Sequence, residues 1–146
     1  MKALVVGDAK RGVTTYPVVE RAFDPQLPVE QRLLAFDRYW DGYDLQGNVP
    51  QVAKKIYTYT LAPADLQSRL QDLARAAYLA VGGRSYGRVD IRADQLDLSV
   101  AQFCVLEVNS QPGLSFDTDS SSLGSILHLS QVTPQLMLSQ LVALAK

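Results

Sequence analysis

Two short stretches set phosphate- and cation-handling side chains at alternating positions. One is Gly87-Arg88-Val89-Asp90-Ile91; the other, after an irregular run, is Val105-Leu106-Glu107-Val108-Asn109-Ser110-Gln111-Pro112-Gly113. Side chains alternate across a strand, so Arg88 and Asp90 would share one face and Val89 and Ile91 the other, with Glu107 and Asn109 likewise set against Leu106 and Val108. If the two strands are antiparallel neighbours, a guanidinium, two carboxylates and an amide oxygen converge on one patch of sheet. Unpaired burial of such a cluster is costly. Two carboxylates that leave positions for phosphate and water suit Mg²⁺, and an adjacent arginine holds phosphate oxygens through its fork of donors. Phosphoryl chemistry is the inference. The competing reading makes these residues ion pairs on the solvated face of a hairpin, as charged strand residues usually are. The Pro112-Gly113 turn weighs against it, because Pro-Gly after a polar pair lets backbone N–H groups approach a ligand.

The elements that must position these residues can be read from periodicity. Lys2 to Gly7 reads as a strand, Asp8 to Gly12 as a turn, and Thr14 to Phe23 as a second strand that Pro17 confines to an edge or bulge. The run Asp37 to Val52, rich in Tyr, Gly, Asp and Asn without a period, reads as a long ordered loop, and Lys54 to Thr60 as a short strand. The clearest helix opens at Pro63, carries Leu66, Leu70, Leu73, Ala77 and Val81 at spacings of three and four, and stops at Gly82-Gly83. A last helix is capped by Thr133 with Pro134 just inside. The order strand, strand, loop, helix, strand, strand, helix lacks alternating βαβ units and predicts an α+β fold, an antiparallel sheet packed with helices. No GxGxxG and no Walker lysine occurs, which sets aside the common dinucleotide and P-loop cradles.

The chain of 146 residues fits one domain over 1–146. Fourteen Lys and Arg against 15 Asp and Glu give a net charge of −1, so no basic field recruits nucleic acid or an anionic membrane. The lone Cys104, within the apolar run Phe103 to Leu106, reads as a small buried hydrophobe. Without a membrane-length apolar run, and without a charged-then-apolar leader at Met1, the expected location is cytoplasmic. His128 lacks the His or Cys partners that a zinc or hydrolase site needs, and Lys10-Arg11 reads as a solvated pair.

Gly87 to Ile91 and Leu106 to Gly113, with Leu79 to Tyr86 upstream, resemble the signature of the D-alanine–D-alanine ligases of the ATP-grasp superfamily. The resemblance runs from about Pro63 to Leu123 and departs at Asp94 to Gln102, longer than a simple hairpin, and at Ser115 to Ser121, which looks like an insertion. It implies the C-terminal subdomain of an ATP-grasp fold, with the N-terminal substrate domain and the lysine-bearing subdomain absent. By the same resemblance the activity is ATP- and Mg²⁺-dependent (or Mn²⁺-dependent) joining of a carboxylate to an amine, by acyl phosphate formation and then amine attack, in peptidoglycan precursor synthesis for cell wall biogenesis.

The implied roles follow the motif. Asp90 and Glu107 would hold one Mg²⁺, with Glu107 bridging to a second completed by Asn109; Glu107 and Asn109 thereby also face ATP. Arg88 would hold the transferring phosphoryl group, and Gly113 would offer its N–H to the oxyanion. Ser122-Leu123 is similar to the family's Ser-Leu pair that receives the substrate carboxylate at a helix start. Phe36 to Tyr43 sits where the family carries a Tyr- and Lys-containing loop over the site, with Phe36 on the nucleotide and Gly42 where the lysine is expected. Implied partners are ATP, an amino-acid or dipeptide substrate and an N-terminal half of the same enzyme; association with a second copy is left open. Two alternatives stand beside the half-enzyme: a noncatalytic ATP-grasp-like binding module, and a ligase for a different amino-acid pair.

Overall fold

A computed structural model describes residues 1–29, 32, 57–119 and 121–145. The chain divides into two compact units, Met1–Arg21 with Tyr59–Lys146, and Ala22–Thr58. Among the described residues six strands form one sheet: β1 (Lys2–Asp8), β2 (Gly12–Thr15), β3 (Val19–Phe23), β4 (Tyr57–Leu61), β5 (Tyr86–Ala93) and β6 (Phe103–Asn109), in the order β4-β3-β1-β5-β6 with β2 also on β1. The pairings β1–β2, β1–β3, β1–β5 and β5–β6 are all antiparallel. β1 explains the arrangement. Its run Ala-Leu-Val-Val is buried on both faces, which requires cover above and below and partners on both edges.

Alternate residues of β1 enter different cores. Ala3 and Val5 pack with Val89, Ile91, Leu66, Leu70, Ala74 and Tyr78, beneath helix α1 (Gln67–Ala80). Leu4 and Val6 pack with Val19, Leu123, Ile126, Leu127 and Met137, beneath α2 (Ser122–Leu129) and α3 (Pro134–Leu144). The result is an α+β fold: a six-stranded antiparallel sheet with helices on both faces. Burial of each large aliphatic at these contacts, Leu70 or Ile126 for example, is worth about 1.5–3 kcal/mol.

Several expectations are refined by the packing. The single strand Thr14 to Phe23 is two strands, split at Tyr16–Val18. Pro17 has no N–H for the ladder, and the Gln67 side chain takes over the exposed backbone, accepting from Val18 N (2.8 Å) and donating to Val18 O and Ala62 O (both 2.9 Å). The helix expected from Pro63 opens as a short 3₁₀ turn, Ala64–Leu66, before regular α-helix begins at Gln67. α2 was absent from the periodic pattern, though the resemblance implied a helix start at Ser122. The long connection Asp94 to Gln102 is closed at its base, where Asp94 Oδ1 accepts from Gln102 N (2.8 Å) and Asp94 N donates to Gln102 O (3.1 Å).

Cys104 corrects its reading. It is exposed, because β6 is the outer strand of the sheet and Cys104 points away from the α1 core that takes its neighbours Phe103 and Val105. The strand expected over Lys54 to Thr60 is β4, of which residues 54–56 lie outside the described residues, as does the loop expected over Asp37 to Val52.

Candidate phosphate and cation site

The site grows out of the β1–β5–β6 register. Asp90 pairs directly with Glu107 and Arg88 with Asn109, so the four polar residues form two cross-strand rows. Both rows continue onto β1, where Lys2 is the partner of Asp90 and Leu4 the partner of Arg88. A bulge secures the arrangement on β6. Ile91 pairs with Val105 while Asp90 pairs with Glu107, leaving Leu106 as an extra, exposed residue. Val105 and Val108 can then both face the α1 core while Glu107 and Asn109 take the opposite face. Strict alternation would have sent Val105 to the face of Glu107.

A buried clamp fixes the entry of β5. Tyr78, at the end of α1, donates its hydroxyl to Gly7 O and accepts from Ser85 N, both at 2.9 Å. Its ring fills the space where Gly83 and Gly87 lack side chains; a Cβ on Gly83 would lie 2.2 Å from the ring and one on Gly87 2.9 Å. Arg88 follows immediately.

Within the cluster, Arg88 lies along Asp90, with Nε–Oδ1 2.6 Å and Nη2–Oδ2 3.2 Å, and the same Nη2 reaches Glu107 Oε1 at 3.2 Å. Lys2 Nζ also pairs with Asp90 Oδ2. The Asp90 and Lys2 side chains are only 17% and 12% exposed, whereas Glu107 is 57% exposed, so Glu107 is the carboxylate an incoming group meets. Burial alone would raise the Asp90 pKa; the hydrogen bonds and charges of Arg88 and Lys2 outweigh it and hold the carboxyl below its ordinary value. For Arg88, too, burial is outweighed, here by Asp90 and then Glu107, and its pKa is raised. Lys2 moves the other way, because the hydration it loses exceeds what a carboxylate shared with Arg88 returns, and its pKa is lowered. Nearby, Arg21 stacks on Tyr59, 5.4 Å from the ring centroid, and donates to its hydroxyl at 2.7 Å.

Asn109 turns the chain out of β6 by accepting from Gln111 N at 3.0 Å. Pro112 is buried and its carbonyl accepts from Tyr86 Oη at 3.3 Å, leaving Gly113 exposed with open space on its Cβ side. Ser122 begins α2, but the cap is Ser121, whose Oγ accepts from Gly124 N (3.3 Å) and donates to Ser115 O (2.7 Å). The described part of Ser115 to Ser121 packs on this first turn, where a Cβ on Gly124 would lie 2.3 Å from Asp117 O. Leu123 is 3% exposed, so its side chain belongs to the core and only its backbone can face a substrate. Phe36 and the loop to Tyr43 lie outside the described residues. His128 is exposed near the end of α2, and Lys10 and Arg11 form a turn in which their N–H groups both donate to Asp8 Oδ1.

Lys2 is the cluster member that sequence reasoning missed. The available signal was a lysine opening an otherwise apolar strand buried on both faces. Asp90, Glu107 and Asn109 offer hard oxygens on two paired strands, and this donor set fits Mg²⁺ in kind. Both oxygens of Asp90 already receive hydrogen bonds from cations, whereas Glu107 meets Arg88 through Oε1 alone and is exposed, so Glu107 is the better-placed carboxylate; the Asn109 oxygen beside it accepts from Gln111 N. Among the described residues no group of three or more His, Cys, Asp or Glu side chains could hold a metal.

An antiparallel sheet between helical layers, bearing an Arg-Asp pair on one strand and a Glu-Asn pair on the next, defines an α+β domain with a cross-strand cluster of two carboxylates, an amide and a guanidinium. A family model described as D-ala D-ala ligase C-terminus matches residues 34–143, and the chain belongs to that family. Similar proteins include the D-alanine–D-alanine ligase of Methylocella silvestris, 30% identical over 115 residues covering 76% of this chain and 30% of that protein. That of Marinobacter nauticus is 46% identical over 55 residues (38% and 15%), and that of Methylorubrum extorquens 42% over 57 residues (36% and 19%). The chain thus spans at most 30% of the length of these relatives. No solved structure matches it significantly.

Proposed function

We propose that the chain is the cation- and phosphate-holding part of an ATP-dependent carboxylate–amine ligase of D-alanine–D-alanine type, a half-enzyme acting in cell wall precursor synthesis in the cytoplasm. The observation that carries this reading is the direct pairing of Asp90 with Glu107 and Arg88 with Asn109, within the stretch that matches the family. Among the described residues no helix is long and apolar enough to cross a membrane.

In this reading Glu107 and Asn109, with Asp90 behind them, hold Mg²⁺ (or Mn²⁺), which when bound neutralises phosphate charge. Arg88 keeps a fixed guanidinium where negative charge moves between oxygens as the substrate carboxylate becomes an acyl phosphate. The Gly113 N–H, exposed after the Pro112 turn, is offered to the oxyanion formed when the amine attacks. The start of α2, with Ser122 and the backbone of Leu123, receives the substrate carboxylate, and Phe36 covers the nucleotide. The rest of the nucleotide and substrate sites comes from an N-terminal half.

A second reading, a noncatalytic binding module, draws on the engagement of both Asp90 oxygens by Lys2 and Arg88. One experiment separates the two. The chain replaces the matching segment of the Methylocella silvestris ligase, and phosphate release is followed with ATP, Mg²⁺ and D-alanine. Release that depends on D-alanine supports the ligase reading; a folded chimera that binds ATP but releases no phosphate overturns it. The chain alone should not turn over, because positioning supplies much of phosphoryl-transfer catalysis and half of the positioning groups would be missing.

A further inference from the structure

Lys2, Asp90 and Glu107 stand in one cross-strand row over three paired strands. Backbone register therefore makes the three positions neighbours, and the Lys2 side chain reaches Asp90 across the ladder. On its other side Lys2 is paired with Val19, which is fully buried and apolar, so the ammonium reaches across the ladder to Asp90. Arg88 occupies the same carboxylate from along the strand and extends to Glu107. Two fixed cations thus face two carboxylates before any ion arrives. The other oxygens of the cluster are those of Glu107, 57% exposed and met by Arg88 through Oε1 alone, and the Asn109 amide oxygen, which accepts from the neighbouring Gln111 N–H.

We propose that the Lys2 ammonium stands in for one divalent cation at Asp90, so that this chain takes a single divalent ion, at Glu107 with Asn109 beside it, and not the two that the family resemblance implies. The proposal rests on the cation-site reading above and specifies its stoichiometry. Its physical basis is direct: a buried ammonium a few ångströms from a divalent ion repels it, and the Asp90 lone pairs that Lys2 occupies are not open for ligation.

The test is Mn²⁺ binding to the whole chain, read from the loss of the free-ion electron paramagnetic resonance signal during titration with MnCl₂. The parent, Lys2→Met, Lys2→Arg and the double variant Lys2→Met/Asp90→Asn are compared, with circular dichroism as a check on folding. Arg88 still pairs with Asp90 when Lys2 is removed, so Lys2→Met should fold. The expected result is one ion on the parent, and on Lys2→Met a second ion or an affinity higher by on the order of tenfold. Lys2→Arg, which keeps the charge, should behave as the parent, and the double variant should lose the gain. Equal stoichiometry and affinity in the parent and Lys2→Met would overturn the proposal while leaving the cation site standing. No saturable binding by either would overturn both. If Lys2→Met does not fold, Lys2→Arg decides: two ions on that charge-preserving variant, or two on the parent, contradict the stand-in role.

Discussion

Tyr78→Phe should weaken the fold without touching the cation cluster, and its size can be worked from the two hydrogen bonds of the Tyr78 hydroxyl. The acceptor it serves, Gly7 O, belongs to a buried residue of the central strand, so once the hydroxyl is gone that carbonyl loses a partner away from water. Losing such a bond costs about 1 kcal/mol, and an orphaned buried polar group raises this to about 1–3 kcal/mol. The donor it receives, Ser85 N, belongs to an exposed residue and can turn to solvent, which limits that loss to about 0.5–1 kcal/mol. The ring itself, packed under Gly83 and Gly87, is retained in phenylalanine. The sum is about 1.5–4 kcal/mol. Urea unfolding followed by far-ultraviolet circular dichroism would read it as a lower midpoint at unchanged slope. A loss below about 0.5 kcal/mol, within the usual range for surface changes, would refute the clamp at the entry of β5.

Gly87→Ala should cost about 1–3 kcal/mol in the same assay, because the new Cβ would stand 2.9 Å from the Tyr78 ring and 3.2 Å from Asn109 O, and neither can retreat without disturbing β5 or β6. In a Tyr78→Leu background Gly87→Ala should cost less than it does in the parent if the ring is the obstacle. For pH, the Asp90 carboxyl is held below its ordinary 3.8, so on acidification the unfolded chain binds this proton before the folded one does. The stabilisation is fully present above the ordinary value and is lost as pH falls through the depressed one. The stability difference between parent and Asp90→Asn should therefore shrink on going from neutral pH to below the carboxylate range; a difference independent of pH would contradict the ion-pair account.

The cross-strand rows were legible because polar residues recur every second position on both strands, and only antiparallel pairing lets them meet. The helix at Gln67–Ala80 and the cap at Thr133 were legible for a similar reason: apolar spacing and the Thr-Pro pair act locally. What sequence reasoning missed depends on contacts far along the chain. The bulge at Leu106 exists to reconcile the α1 core with the opposite face, and Val105 and Val108 look alike in sequence. The break at Pro17 is stabilised by Gln67, which bonds Val18 across 49 residues. Lys2 meets Asp90 across 88 residues, and nothing near Lys2 announces that partner. The eight residues of α2 are too few for a clear period, and their burial against β1 supplies the stability that propensity does not.

The most direct test of the central claim, that Glu107 is the carboxylate presented to a divalent ion, is the Mg²⁺-dependent kcat for phosphate release by the chimeric ligase with Glu107→Gln, set beside Asp90→Asn and Asn109→Asp. Glutamine keeps the shape and one carbonyl oxygen but removes the exposed negative charge beside Arg88. The predicted result is a fall in kcat on the order of a hundredfold or more, larger than for either other variant, with folding unchanged. A Glu107→Gln chimera that folds normally and keeps near-parental Mg²⁺-dependent turnover would contradict the account.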